Sequence, residues 1–437
     1  MTGMSSTPPS GAGAPRRRRG LGMPVGRTRR AVVLAALASA VAAGAAASVP
    51  AAASHGGEEL FDLAALPAPT ADGKAMVDAL DAFATTYPMR VTGSPTEVSA
   101  GQALATEMSG LGYQAQTVTL PVQAGAPAVG PLQAVTATKK GTTRPDDWIL
   151  LVGHYDNIAS TVYGTYDNGS GTNMLRWLAR ELADVPTHRS IVFAWYNGEE
   201  EGVLASQRHA AALKAAGQQI TAVLGFDMVG VAWPVATEQA NSCLCLFHGP
   251  RDGDLFRPLL EQVNFEFLGF PNHPRKVTVA GSNTRNSDER SFAQQGYPTL
   301  RWAGMRTASS YPAYHLPHDT LATMVSVAGT REHVELGTAN TLKSAYYTLL
   351  ALDNHLPEPS FEVTVDELTA RFDGTSTGDA DGGTTRLSWD FGDGATATGA
   401  TPSHAYTAPG TYTVRLTAAD DLWPSVTRST TQQVTVR

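Results

Sequence analysis

The chain has 437 residues, 42% of them hydrophobic and 16% charged, which suffices for two or three globular domains with proper cores. The formal net charge of −8 hides an asymmetry: residues 1–53 hold seven Arg and no acid, leaving 25 basic against 40 acidic residues beyond them, a net of −15. An acidic body of this kind argues against nucleic acid as a partner.

The Arg-rich start reads as an export signal. Thr28-Arg29-Arg30-Ala31-Val32-Val33 resembles a twin-arginine signal, without the aromatic residue or Leu preferred near its end. An Ala-rich apolar stretch follows from Ala31 to Val49, and Ala51-Ala52-Ala53 supplies small residues for cleavage. Met23 offers a second possible start. As an uncleaved anchor the Ala-rich segment would span a bilayer poorly, and no other stretch is long and apolar enough to cross one. Residues 1–53 are therefore expected to be a signal peptide, and the mature protein to be secreted from about Ser54. The two cysteines, Cys243 and Cys245, stand one residue apart in an apolar run. A bridge over that spacing would strain an extended backbone, so they read as small core thiols.

Helical spacing appears over 75–86 and again over 96–111, where Gly112 closes the second helix. Residues 113–120 alternate as a strand. Strands at 135–138 and 148–152 flank a Lys-Lys-Gly turn. Strands and helices then alternate: a helix over 171–183, a strand over 191–196, a helix over 203–216 and strands over 222–228 and 244–247. A helix over 255–265, a strand over 299–302 and a long helix over 331–355 follow, the last with Leu336, Leu342, Tyr346 and Leu350 among its apolar positions. This order predicts an α/β fold, a mixed β-sheet flanked by helices, over residues 54–355. Residues 356–360 are a Pro-containing linker. Residues 361–437 are rich in Thr, Gly and Asp and show only strand alternation, predicting a small all-β sandwich.

Chemistry-bearing side chains collect at the predicted strand ends. His154 and Asp156 close one strand, and Asp167 lies in the loop behind it. Glu199, Glu200 and Glu201 follow the strand 191–196. Asp227 ends another strand, and Tyr314 and His315 precede the last helix. Each has a plain structural reading: a satisfied core histidine, an N-cap at Asp167, a turn acid at Asp227, or helix-start acids at 199–201. Together they conflict, because so many acids at neighbouring strand ends repel one another unless cations bind them. Imidazole and carboxylate donors suit zinc. A shared carboxylate can hold two metals roughly 3.5–4 Å apart. Two Zn²⁺ against Asp167, Glu200, Asp227 and a bridging hydroxide leave a neutral centre that tolerates burial.

Gly153-His-Tyr-Asp156, Asp167-Asn-Gly-Ser-Gly171, Glu199-Glu-Glu-Gly202, Phe226-Asp-Met228, Ser287-Asp288 and Tyr314-His315 with Asp319-Thr320 resemble, in order and spacing, the M28 family of zinc aminopeptidases. The resemblance covers roughly residues 75–355. It implies two Zn²⁺ per chain, His154 and Asp227 on one, Glu200 and His315 on the other, and Asp167 between them. It also implies Glu199 as general base, Asp156 orienting His154, and Tyr314 stabilising an oxyanion. Glu201 falls on a non-ligand position and is left on the surface. Arg285 stands one place off the Arg that some members carry before Ser-Asp, and the disulfide of some secreted members has no counterpart. The implied substrates are peptides with a free N-terminus. A related exopeptidase (a carboxypeptidase or dipeptidase), a glutaminyl cyclase-like enzyme and a binding protein on a peptidase fold are the alternatives. Trp389-Asp-Phe-Gly-Asp-Gly394, His404-Ala-Tyr406 and Gly410-Thr-Tyr-Thr-Val-Arg-Leu416 resemble a PKD domain, which implies a spacer or a surface-binding unit. Asp390 and Asp393 read as turn residues.

Overall fold

The computed structural model describes residues 63–121, 130–231, 244–248, 252–269, 277–281, 287–304, 311–354, 357–382, 385–424 and 427–437. The expected signal peptide, Cys243 and Arg285 lie outside them.

Two helices open the described chain. Helix α1, Gly73–Thr86, is capped by Asp72, which accepts from the Ala75 N–H at 3.0 Å. Helix α2, Pro95–Gly110, has Ser94 as cap and Pro95 in the first turn, where its missing N–H costs nothing. Strands β1 (Gln114–Leu120), β2 (Leu132–Lys139) and β3 (Arg144–His154) precede helix α3, Ser170–Leu182. Strand β4 (Arg189–Tyr196), helix α4 (Leu204–Ala215), strand β5 (Gln219–Asp227) and strand β6 (Leu244–His248) follow. Helix α5, Gly253–Glu261, runs into a π-helical turn over Gln262–Phe267. Strand β7 (Val277–Gly281), helix α6 (Glu289–Gln294), strand β8 (Thr299–Ala303), helix α7 (Leu321–Ala328) and helix α8 (Arg331–Asp353) complete the domain. Of these, β7, α6 and α7 carry no sequence signal strong enough to predict them.

The sheet has eight strands in the order β1-β2-β4-β3-β5-β8-β6-β7. The central strands β4, β3, β5 and β8 are parallel, so their carboxyl ends share one edge. Both faces are covered, and the strand period divides the side chains between two cores. Ile149, Leu151, Ile191, Phe193 and Trp195 face the layer of α1, α2, α3 and α8. Leu150, Val152, Val192, Ala194 and Tyr196 face the layer of α4 and α6. In α8, Leu342, Tyr346 and Leu350 are buried as expected, but Leu336 is 48% exposed. Six residues before Leu342, Leu336 projects from a different face of the helix. No helix of the described residues is long and apolar enough to cross a membrane.

The C-terminal region is all β. Strands β9 (Glu362–Asp366), β10 (Thr369–Asp373) and β13 (Ser403–Ala405) form one sheet. Strands β11 (Arg386–Asp390), β12 (Thr396–Thr398), β14 (Gly410–Ala419) and β15 (Thr427–Val436) form the other. Trp389, Phe391, Phe372, Val414 and Leu416 fill the space between them. Asp390 and Asp393 serve the intervening turn, accepting from the Gly392 and Ala395 N–H groups at 2.9 and 3.0 Å.

Candidate active site

The shared carboxyl edge of the parallel strands brings five dispersed residues together. His154 ends β3 and Asp227 ends β5. By strand alternation they project to the same side as Val152 and Val223. His315 comes from the loop before α7, Glu200 from the turn after β4, and Asp167 from the loop before α3. Asp167 lies between the two histidines. Its Oδ1 is 3.6 Å from His154 Nε2, and its Oδ2 is 3.3 Å from His315 Nε2. Asp227 Oδ1 lies 3.9 Å from His154 Nε2, and Glu200 Oε2 lies 3.4 Å from His315 Nε2. Glu199 Oε2 is 3.9 Å from His154 Nε2, on the His154 side of the group.

The backbone is held tightly here. Val203, Met228 and His315 adopt left-handed conformations, with φ of 56°, 53° and 58°. Such φ values are strained for residues with a Cβ and gather where packing over-determines the chain. The peptide between Asp167 and Asn168 is cis. Asn168, not Asp167, supplies the local caps: its Oδ1 accepts from Gly171 N at 2.9 Å and Met228 N at 3.1 Å. A Cβ at Gly171 would sit 2.3 Å from the Phe226 carbonyl oxygen, so only glycine allows α3 to approach β5 this closely.

Asp156 is fully buried beneath the group. His154 Nδ1 lies 3.2 Å from the Asp156 main-chain oxygen and 3.4 Å from its Oδ1, and the carboxylate also meets the Glu199 and Glu200 N–H groups, each at 3.4 Å, and the Thr92 hydroxyl at 3.1 Å. It therefore orients His154 and the 199–200 turn together. Asp319 does the same for Asp167. It accepts from the Asp167 N–H at 2.9 Å, the Tyr166 N–H at 3.0 Å and the Tyr311 hydroxyl at 2.8 Å. Glu201 is not a surface residue at a helix start. It is half-buried, accepts from the Thr92 hydroxyl at 2.8 Å, and precedes α4, which begins only at Leu204. The Gly202 turn delays the helix.

Electrostatically the group cannot hold its charges unaided. Burial drives the Glu199 carboxyl well above its ordinary range, and Asp227, Asp288 and Asp167 add to this against the opposing pull of His154. Burial and then Asp167 push Glu200 up to about 10. Burial alone would lower His154, but Glu199, Asp156 and Asp227 outweigh it and raise the imidazole. Glu200 Oε1 is buried with no hydrogen-bond partner. Two imidazoles, three carboxylates and an orphaned carboxylate oxygen fit divalent metal ions, whose positive charge restores the ionised acids.

The group opens into a cavity of about 360 Å³, lined also by Val203, Gln207, Met228, Arg290 and Tyr314. Tyr314 stacks on His315 with ring centroids 3.8 Å apart. Sequence reasoning missed Arg290, since a lone Arg after Ser-Asp-Glu carries no pattern. Asp319 belongs to the Asp319-Thr320 pair of the sequence resemblance, which implies no task for it. Asp288, buried beside the group and pushed up to about 7 by burial, lies within the quoted Ser-Asp pair.

Residues 134–338 match the profile of peptidase family M28, and residues 356–436 match that of the PKD domain. Aminopeptidase YwaD of Bacillus subtilis is 29% identical over 184 residues, 40% of this chain and 36% of that protein. A probable zinc metalloprotease of Pyrenophora teres is 36% identical over 106 residues, 23% of each chain. The matched stretches thus span well under two thirds of these relatives. The LapA aminopeptidase structure of Legionella pneumophila superposes with a TM-score of 0.51 at 18% identity, over 68% of this chain and 77% of that one. By these matches residues 134–338 are a peptidase family M28 domain, and a PKD domain follows over residues 356–436.

Proposed function

We propose that the protein is a secreted di-zinc aminopeptidase that removes N-terminal residues from peptides. The observation that carries this reading is the divided carboxylate of Asp167, one oxygen toward His154 and the other toward His315. That arrangement suits two ions sharing one ligand. His154 and Asp227 would hold one zinc, Glu200 and His315 the second, and Asp167 both.

When bound, the two ions would lower the pKa of a water toward neutrality and polarise the scissile carbonyl. The protein's own groups do the rest. Glu199, buried and beside His154, takes the proton of the attacking water. Kept ionised by the positive charge beside it, it can accept that proton and then deliver it to the leaving amine. Tyr314 donates its hydroxyl to the oxygen that gains charge in the tetrahedral state. Asp156 keeps His154 turned toward the cavity. The acidic walls favour a substrate's protonated α-amine, which supports exopeptidase action at a free N-terminus. The Arg-rich, Ala-rich residues 1–53 support export. The PKD domain would act as a spacer or as a surface-binding unit.

The test pairs a free-amine peptide with its N-acetylated form. The native protein should cleave the first at least a hundredfold faster. Glu199→Gln should retain zinc and lose turnover by a factor of ~10²–10⁴. Equal cleavage of both peptides would sink the aminopeptidase reading, and near-native turnover in the Gln variant would sink the role of Glu199.

A further inference from the structure

A second group of carboxylates surrounds one buried imidazole where the peptidase domain meets the PKD domain. His188, just before β4, is fully buried. Its Nε2 lies 3.6 Å from Asp381 Oδ2, 3.7 Å from Asp421 Oδ1 and 4.0 Å from Asp420 Oδ2. These separations are too long for hydrogen bonds, and Nε2 has no hydrogen-bond partner. Asp379 extends the group: its ligand oxygen and those of Asp381 and Asp420 all lie within 4.8 Å of one another.

The surrounding hydrogen bonds aim the free atoms inward. Asp420 spends Oδ1 on the N–H groups of Leu422 and Trp423, at 2.8 and 2.7 Å, and leaves buried Oδ2 unpartnered. Asp379 Oδ2 and Asp421 Oδ1 are likewise buried and unpartnered. The Thr143 hydroxyl fixes the imidazole. It lies 2.9 Å from His188 Nδ1 and 3.2 Å from the Asp381 carbonyl oxygen, which can only accept. With its single proton given to that carbonyl, the hydroxyl accepts from Nδ1–H, and Nε2 is turned toward the carboxylates. Acid oxygens gathered this closely repel one another unless a cation stands between them. A ring nitrogen hydrogen-bonded at its far side is the usual state of a metal-binding histidine.

We propose that His188 of the peptidase domain and Asp379, Asp381, Asp420 and Asp421 of the PKD domain form a divalent-cation site that ties the two domains together. A donor set mixing imidazole with carboxylates suits an ion of the Mn²⁺ or Zn²⁺ class over Ca²⁺, which takes oxygen ligands. The ion would reinforce a junction otherwise made by single contacts, such as Arg144 to the Ala380 carbonyl at 3.2 Å and the Trp423 indole to Asn354 at 3.0 Å.

The experiment is Mn²⁺ titration of the full chain, with Mn²⁺ stoichiometry read by electron paramagnetic resonance. The native protein should bind one more Mn²⁺ than His188→Gln and than the double variant Asp381→Asn with Asp420→Asn. Both variants should keep cleavage of a free-amine peptide, since none of these residues touches the catalytic cavity. Asp421 is partly exposed, so Asp421→Asn should fold in any case and weaken the extra site at least tenfold. Equal stoichiometry and affinity in native and Asp421→Asn protein would overturn the proposal. So would an ion bound equally well by native and His188→Gln protein, because His188 would then not be a ligand and the site would not join the domains.

Discussion

Substitution of Asp319 by Asn tests how the site is held. Asp319 is fully buried and its carboxylate accepts three hydrogen bonds. Burial raises its pKa to about 6, so it is ionised at pH 8. Oδ1 takes the Tyr166 N–H and the Tyr311 hydroxyl, and Oδ2 takes the Asp167 N–H alone. An asparagine can keep its carbonyl oxygen on the first pair only by turning its amide NH₂ toward the Asp167 N–H. Donor then faces donor, and a buried N–H loses its partner at a cost of about 1–3 kcal/mol. Asp319→Ala leaves two buried N–H groups bare, which doubles that to about 2–6 kcal/mol. The loss falls on the residue between His154 and His315, so zinc affinity should drop about 10–100-fold, as for other residues that position ligands. Urea denaturation and competitive zinc titration against a chelator measure the two effects. If Asp319→Asn kept native stability and native zinc affinity, the three bonds would not be what holds Asp167, and the argument would fail.

Other outcomes follow from burial and charge. Stripped of metal, the protein should lose thermal stability as pH rises from about 5 to 9. Glu199 and Glu200 hold protons in the folded state that the unfolded chain has released, so the unfolded state gains with pH. Zinc should flatten that slope, and scans of melting temperature against pH with and without metal would show it; identical slopes would speak against metal at these acids. His209 behaves oppositely. Burial lowers it to about 4, and its Nδ1 lies 2.7 Å from the Tyr196 hydroxyl. Its folded pKa lies below the unfolded value, so its contribution is present above pH ~6.5 and lost as pH falls toward 4, by about 3 kcal/mol in the limit. Native protein should therefore destabilise more than His209→Gln between pH 7.5 and 4.5. Parallel loss in both proteins would refute this.

Much of the architecture was legible because it rests on periodicity. Strands β3 and β4 are buried on both faces and read as continuous apolar runs, which fixes a central parallel sheet. The acids and histidines stood out because they follow those runs directly. What escaped notice has no local signal. Helix α6 has only six residues, too few for a helical period to register. The task of Asp319 lies in bonds to backbone N–H groups about 150 residues away. Glu201 read as a helix-start acid because nothing in Glu-Glu-Glu-Gly announces that Gly202 holds the helix off until Leu204. Leu336 read as inward because hydrophobicity alone does not say which face of a long helix is turned to the core.

The five grouped residues come from four separate connections of the sheet and span positions 154 to 315. No hairpin or single βα unit brings even three of them together. The parallel strands must find their order, and the loop bearing His315 must dock through Asp319, before a second histidine meets Asp167. Pairings this distant in sequence form late in folding. Partly folded chains should therefore hold metal weakly and cleave nothing, so that proteolytic competence itself reports a finished fold.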